Sequence, residues 1–401
     1  MKFGNFLFPD SRDPERDGIV IDETLREAVL SDELGIDVVW LGEHHFDGIC
    51  AYADPIGFAG ALAVALKRAA LGFAVLQTSL HHPIRLAEQL AVLDNLTKGR
   101  LIVGLGRGSS YNIYDYQGFG IDHHEAQDRL EEAEDIILRA WTEGAFRHDG
   151  RFWQLDVPIL RPRPYTKPHP PLIRGSSGDA SLVELARQGK PFLMNVQSFE
   201  TTRRRVALYT ETMHGAGYGD EAVARNLEAS WVWRNVFVAE TDTEAERIAL
   251  PAFETMTRRV ALYTETMHGA GYGDEAVARN LEASWVWRNV FVAETDTEAE
   301  RIALPAFETM TTARAEMRNR IFRDTGMRIE VPPSDLPGTR TGRGDGVIYG
   351  SPARVAEDIA ALDRLGLGGI IAVFRMGPMP HALATQNLEL FMRQVAPQFR
   401  S

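Results

Sequence analysis

Between Phe3 and Asn195, stretches with strand character and stretches with helix character alternate, and this alternation restricts the fold more than any other property of the chain. Phe3 to Phe8 reads as a strand, and a polar loop from Asp10 to Asp17 leads to a helix from Glu23 to Leu34, with Asp22 as N-cap and Gly35 at its end. Asp37 to Leu41 is a second strand, and Asp54-Pro55 opens a helix that runs to about Lys67. Ala70 to Thr78 is a third strand, His82-Pro83 opens a helix to Thr97, Lys98-Gly99 closes it, and Leu101 to Leu105 is a fourth strand. Short links between such segments imply right-handed crossovers and a parallel sheet, either doubly wound or closed into a barrel.

A long amphipathic helix from about His124 to Glu143 and a hairpin excursion from Phe146 to Pro170, turning at Asp149-Gly150, precede the next strand, Pro171 to Ile173. The loop Gly175 to Gly178, a helix from Ala180 to Gln188 and a strand from Phe192 to Asn195 follow. Near the end, Met327 to Gly346 reads as a loop, Ser351-Pro352 starts a helix, Gly369 to Phe374 is a strand and His381 to Val395 a closing helix.

Arg204 to Thr257 recurs without a change as Arg258 to Thr311. Two identical copies do not make a solenoid, whose units diverge and number three or more. Each copy holds a helix, a Gly-rich loop (His214 to Gly219 in the first), a strand (Trp231 to Ala239) and a helix after Thr243. With the second copy set aside the chain has eight strand-helix units. Residues 1–401 are thus expected to form one barrel domain, with only one of Trp231 to Ala239 and Trp285 to Ala293 seated in it.

The chemistry-bearing residues sit where strands end. Val38 to Leu41 needs no polar side chain while it is buried, so Glu43-His44-His45-Phe46 falls at the C-terminal mouth, where α/β barrels place their active sites. A histidine there either exchanges protons near neutral pH or is satisfied by a neighbouring carbonyl. Two adjacent histidines on a strand point to opposite faces, so at most one faces a substrate. Gly104-Leu105-Gly106-Arg107-Gly108-Ser109-Ser110 is not a dinucleotide fingerprint, because Ser109 takes the third glycine's place and the aromatic, polar run Tyr111 to Phe119 follows rather than a helix. It reads as an anion site of backbone N–H groups and one guanidinium, or as a tight turn with a solvated Arg. Gly175-Ser176-Ser177-Gly178, ahead of a helix, is a second candidate phosphate cradle.

A net charge of -13, about -9 without the second copy, argues against nucleic acid and anionic membrane as partners. The lone Cys50 cannot form an internal disulfide, no apolar run approaches the roughly 20 residues of a membrane span, and the N-terminus lacks a signal-peptide core, so a cytoplasmic protein is expected.

Taken in order, Met1 to Leu7, Val39 to Phe46, His82-Pro83-Ile84-Arg85-Leu86-Ala87-Glu88, Lys98-Gly99-Arg100, Gly104 to Gly108, Tyr349-Gly350-Ser351-Pro352 and Val395-Ala396-Pro397-Gln398-Phe399 resemble the bacterial luciferase-like family of flavin-dependent monooxygenases, the luciferase large subunit especially. The resemblance implies an eight-stranded parallel (β/α)8 TIM barrel holding reduced FMN (FMNH2) at its mouth, and no metal. It implies a non-prolyl cis peptide at Ala74-Val75 beneath the flavin ring, phosphate contacts from Arg107 and from the turn of Ser176, Ser177, Gly178 and Ser181, and His44 as catalytic residue supported by Glu43 and His45. Gly106 and Asn195, at the ends of their strands, are counted with the cofactor-binding residues. Gly106 stands where the luciferase subunit has a reactive cysteine and Gln127 where it has an arginine, so light emission is not implied.

The activity implied is two-component: a separate flavin reductase supplies FMNH2, and one atom of O2 passes through a flavin peroxide to a small organic substrate such as an aldehyde. The alternatives are a deazaflavin (F420)-dependent hydride-transfer oxidoreductase and a non-catalytic flavin-binding partner subunit. A homodimer is expected through the helices near Asp54 to Ala65 and Pro83 to Leu96.

Overall fold

The structure, a computed structural model, describes residues 1–11, 13–46, 48–108, 112–195, 197–238, 347–375 and 380–400. Its main sheet runs, neighbour by neighbour, Val347–Gly350, Trp231–Val238, Gly369–Val373, Lys2–Leu7, Val38–Leu41, Ala70–Phe73, Leu101–Gly106, Leu172–Ser176 and Phe192–Met194, with Leu76–Gln77 also on Leu101–Gly106 and Phe192–Met194 also on Trp231–Val238. That cyclic order of parallel strands is the eight-stranded (β/α)8 barrel class. The chain divides into two compact units, Asn5–Gly175 and Met1–Gly4 with Ser176–Ser401.

The first unit takes β1 (Lys2–Leu7) from Asn5 onward and then α1 (Asp17–Glu33), and Asn5 Nδ2 donates to Ser31 Oγ at 2.9 Å. The helix begins earlier than the expected Glu23. A single 3-10 turn, Pro14–Arg16, capped by Asp13, feeds straight into it, and Asp22 sits inside the helix, paired with Arg26 one turn on instead of capping. β2 (Val38–Leu41) is buried at all four positions, as a parallel strand of continuous apolar residues should be. α2 (Pro55–Ala65) starts as its sequence dictates, with Pro at the first position and Asp54 Oδ1 accepting from the N–H groups of Ile56 and Gly57 at 2.9 and 3.3 Å.

The stretch expected as one strand over Ala70 to Thr78 is two pieces, β3 (Ala70–Phe73) and β4 (Leu76–Gln77), separated by a cis Ala74–Val75 peptide. Both pair with β5 (Leu101–Gly106): Leu71 lies against Leu101, and Gln77 against Gly106. α3 (Pro83–Thr97) ends at Lys98 in the left-handed region (φ 57°), next to Gly99 (φ 83°). The run after the Gly-rich loop, expected to be non-helical, contains a short helix, α4 (Ile113–Gly118), which buries Ile113, Asp115 and Tyr116. Its aromatic residues carry little helical signal of their own, so burial rather than propensity decides it. α5 (Ala126–Thr142), the antiparallel hairpin β6 (Phe146–Asp149) with β7 (Gln154–Val157), and β8 (Leu172–Ser176) complete this part, Val103 pairing with Leu172. Its core joins Val39, Leu41, Leu71, Phe73, Val103 and Leu105 of the sheet to Leu62, Leu86, Leu90 and Ile137 of the helices.

In the second unit, α6 (Asp179–Arg187), β9 (Phe192–Met194), α7 (Phe199–Gly215) and α8 (Asp220–Glu228) precede β10 (Trp231–Val238). α8 was not anticipated, since its nine residues lie within a polar stretch. β11 (Val347–Gly350), α9 (Pro352–Asp363), β12 (Gly369–Val373) and α10 (His381–Leu390) follow. The closing helix expected to Val395 changes to a π-helical turn over Phe391–Val395. β10 pairs in parallel with β9 at Trp231 and Val232, with β12 from Trp231 to Asn235 and with β11 from Asn235 to Val238. The Trp231 ring covers Gly369, where a Cβ would stand 2.2 Å from it. β10 belongs to the first copy of the duplicated segment; Trp285 to Ala293, the helix after Thr243 and the loop Met327 to Gly346 lie outside the described residues.

Candidate active site

Beyond Leu41 the chain leaves β2 and presents Glu43, His44, His45 and Phe46 in succession. Glu43 is buried and fully committed. Its Oε1 accepts from His45 Nε2 at 2.9 Å and from His81 Nε2 at 2.7 Å, and its Oε2 accepts from the backbone N–H of Gln77 at 2.6 Å. Burial alone would raise this carboxyl's pKa, but the His81 charge, the two imidazole hydrogen bonds and the Gln77 N–H outweigh it and hold it at about 2. Glu43 is therefore ionised at any physiological pH. Burial pulls His45 down, while the Glu43 hydrogen bond and the charges of Glu43, Asp115 and Asp54 pull it up, and the net direction is upward. An imidazole so placed can hold a proton near neutrality.

His44 does not touch Glu43. Its Nδ1 lies 3.4 Å from Asn112 Nδ2, and its ring stands edge-on to Phe8 at 5.2 Å. Asn112 Nδ2 also donates to Asp115 Oδ2 at 2.8 Å, the Gln77 amide donates to the same oxygen, and Gln77 Nε2 reaches the Glu43 carbonyl at 3.0 Å. Polar side chains from four places in the chain thus link His44 to the Glu43 cluster through Asn112, Asp115 and Gln77. Burial raises the Asp115 pKa against the opposing pull of Gln77, His44 and Asn112. The geometry fits the expectation that the adjacent histidines diverge: His45 turns to Glu43 and the Phe119 ring (5.0 Å, edge-on), and His44 turns to Phe8.

Sequence reasoning had passed over His81, Gln77, Asp115 and Asn112. For His81 a signal was present, since it too is a polar residue just beyond a buried strand. It was eclipsed by the helix start at His82-Pro83.

Beside this cluster Val75 rests on glycines. A Cβ on Gly104 would lie 1.8 Å from the Phe73 carbonyl oxygen, and one on Gly106 would lie 2.5 Å from Val75 Cγ2. The cysteine that the luciferase subunit has in place of Gly106 would therefore not fit without displacing Val75. Val75 is part-exposed and lies two residues before Gln77, whose N–H bonds Glu43, so β5 backs an apolar platform on the same short segment that meets the ionised acid. Arg107, one residue beyond β5, is exposed, and its carbonyl accepts a hydrogen bond from Tyr116 Oη at 2.5 Å. An apolar platform, proton-carrying side chains and an exposed guanidinium suit a planar redox ring that carries a phosphate. Gln127 instead bonds Glu131 on its own helix at 2.6 Å.

In the other unit, the Ser176 to Ser181 turn is closed on itself. Ser176 Oγ and Ser181 Oγ are 2.9 Å apart, and Ser181 Oγ donates to the Gly178 carbonyl at 3.0 Å. Asp179 opens α6 and is clamped by Arg204 at 2.7 and 2.9 Å and by Arg205 Nε at 2.9 Å, while Arg205 Nη2 donates to the Ser177 carbonyl at 3.2 Å. The Arg204 hydrogen bonds hold the Asp179 carboxyl below its ordinary pKa. Asn195 Oδ1 accepts from Gln197 Nε2 at 2.6 Å. Asp122, His123 and His124 bring one potential metal-ligand atom each to within 4.8 Å of one another, but Asp122 Oδ1 already caps the His124 N–H at 2.9 Å.

The sequence profile of luciferase-like monooxygenases matches residues 1–286. The oxygenase component of flavin-dependent trigonelline monooxygenase from Acinetobacter baylyi is 30% identical over 173 residues, covering 43% of this chain and 48% of that protein. The alkanal monooxygenase alpha chain of Photorhabdus luminescens is 27% identical over 219 residues, 54% of this chain and 60% of that one. The chain thus spans about half the length of the curated relatives it matches. The monooxygenase RslO1 from Streptomyces bottropensis superimposes with a TM-score of 0.70 at 22% identity, covering 100% of both chains, which establishes a shared fold. With a profile match over more than half its length and the barrel of strands to go with it, the chain belongs to the luciferase-like monooxygenase family.

Proposed function

We propose that the chain is the oxygenase component of a two-component flavin monooxygenase: it takes reduced FMN from a separate flavin reductase and transfers one atom of O2 to a small organic substrate. The observation that carries this reading is the Glu43 cluster, an ionised buried carboxylate holding two imidazoles beside the Val75 platform. Bound reduced FMN supplies the two electrons that let O2 be divided between product and water. Everything else falls to the chain's own side chains.

Val75, seated on Gly104 and Gly106, would carry one face of the ring. Arg107 would meet the phosphate, where a guanidinium gains from bidentate geometry. In the second unit, taken by itself, the backbone N–H groups at the start of α6, with Ser177, Gly178 and Ser181, form a turn of the kind that receives an anion. The negative charge of Asp179 at that helix end is offset by Arg204 and Arg205. His44 receives the Asn112 amide at Nδ1, an arrangement that places the proton of the neutral ring on Nε2. It is our candidate for the group that gives or takes the substrate's proton, with Glu43 and His45 maintaining the charge beside it. The exposed rings of Phe46 and Phe119, 5.5 Å apart and against His45, supply apolar surface that would exclude water.

The test is an absorbance titration with FMN and reduced FMN, then oxygen uptake on adding a reductase and candidate substrates. Saturable flavin binding with substrate-dependent oxygen uptake supports the reading. Turnover of a deazaflavin without oxygen uptake would replace it with hydride transfer, and the absence of flavin binding would remove it.

A further inference from the structure

His81 and His45 bond the same oxygen of Glu43, at 2.7 and 2.9 Å, because the other oxygen is taken by the Gln77 N–H at 2.6 Å. We infer that His81 is a positioning residue for the site: by sharing Glu43 Oε1 with His45, it sets how firmly His45 holds its proton and so tunes the proton supply beside His44. This rests on the proposed role of the His44 cluster.

One carboxylate balances one imidazolium. When either ring is protonated the trio is neutral, and protonating the second ring would leave a net positive charge in a largely buried group, with the two Nε2 atoms no more than about 5.6 Å apart. The rings therefore compete, and the proton is a property of the pair rather than of either histidine. The surrounding charges do not undo this competition. His45 is also faced by Asp54 at the start of α2 and by Asp115 on α4, which favour its charged form, and by the rings of Phe46 and Phe119, which carry no charge. Asp115 is also within reach of His44, and Tyr52 and Tyr116 feel Glu43 but are pushed upward by burial and stay neutral. Among the described residues, only His81 is a second base on the same oxygen.

His81→Gln keeps a donor for Oε1 and removes the competing charge. His45 should then hold its proton more firmly, and its titration midpoint should rise by about one pH unit. The measurement is the His45 ring proton shift by NMR against pH in the flavin-free protein, in wild type, His81→Gln and His81→Asn, so that a variant that fails to fold does not decide the question. A midpoint unmoved or lowered in the folded variants would overturn the coupling. In the oxygen-uptake assay, the limb of the kcat profile that follows His45 should move by the same amount, with KM for reduced flavin unchanged. A moved NMR midpoint with an unmoved profile would overturn the role in turnover while leaving the coupling intact. Absence of any flavin turnover in wild type would instead fail the functional reading, a result the NMR arm separates from this one.

Discussion

Glu43→Gln is the substitution whose cost follows most directly from the geometry. A carboxyl held at about 2 in the folded chain, against an ordinary 4.5, has its charged form stabilised by about 3 kcal/mol, taking 1.36 kcal/mol per pH unit. The amide cannot balance an imidazolium, and its NH2 group meets a donor in either position, the two imidazoles at one oxygen site or the Gln77 N–H at the other. Loss of one partner from a buried charged group costs roughly 3–5 kcal/mol by general experience, so the two routes agree. The sign of the pH dependence follows from the lowered pKa. The stabilisation is fully present above 4.5 and fades as pH falls from 4.5 toward 2, because the unfolded chain takes up the proton first. At pH 3.5 about 1.4 kcal/mol of it should be gone. Urea unfolding of both proteins at pH 7 and pH 3.5 measures this: the wild-type advantage should be about 3 kcal/mol at pH 7 and visibly smaller at pH 3.5. An advantage below 1 kcal/mol at pH 7, or one that does not shrink in acid, would refute the picture of an ionised carboxylate held by two imidazoles.

Arg107→Ala should weaken FMN binding at least tenfold and leave riboflavin binding nearly unchanged, as read by fluorescence titration; equal losses for both ligands would count against a phosphate contact. A homodimer is expected through α2 and α3, whose outer faces expose Val64 (63%), Val92 (43%) and Leu96 (44%), and sedimentation at micromolar concentration showing only monomer would contradict it. Removing Arg258 to Thr311 gives the same 347-residue sequence as removing the first copy and retains one strand identical to β10, so the shortened protein should fold and bind flavin at least as well; failure to fold would mean that both copies are structural.

The barrel was legible because its signals are local and repeated. Val38 to Leu41 is continuously apolar, Asp54-Pro55 and Ser351-Pro352 announce helix starts, and Lys98-Gly99 announces an end, and each does in the structure what its chemistry dictates. The early start of α1 was hidden by Gly18, which lowers helix propensity, and the interruption at Ala74–Val75 came only from family resemblance, since neither residue marks it. At the site, Glu43, His44 and His45 stood out because polar residues follow an apolar strand abruptly. Their division of labour did not, because it depends on Gln77, His81, Asn112 and Asp115, which reach the cluster from 34 to 68 residues away along the sequence or through one another. Hydrogen bonds across such separations leave no periodicity to read.

If the proposed reduced-flavin chemistry operates in this barrel, the fate of labelled oxygen reveals it. With FMN, a flavin reductase, a converted substrate and 18O2, one 18O atom should enter each product molecule and the second should enter water, and turnover should be at least about 10²-fold lower in His44→Ala at unchanged flavin affinity. Product formed without 18O, or at undiminished rate in His44→Ala, would contradict it.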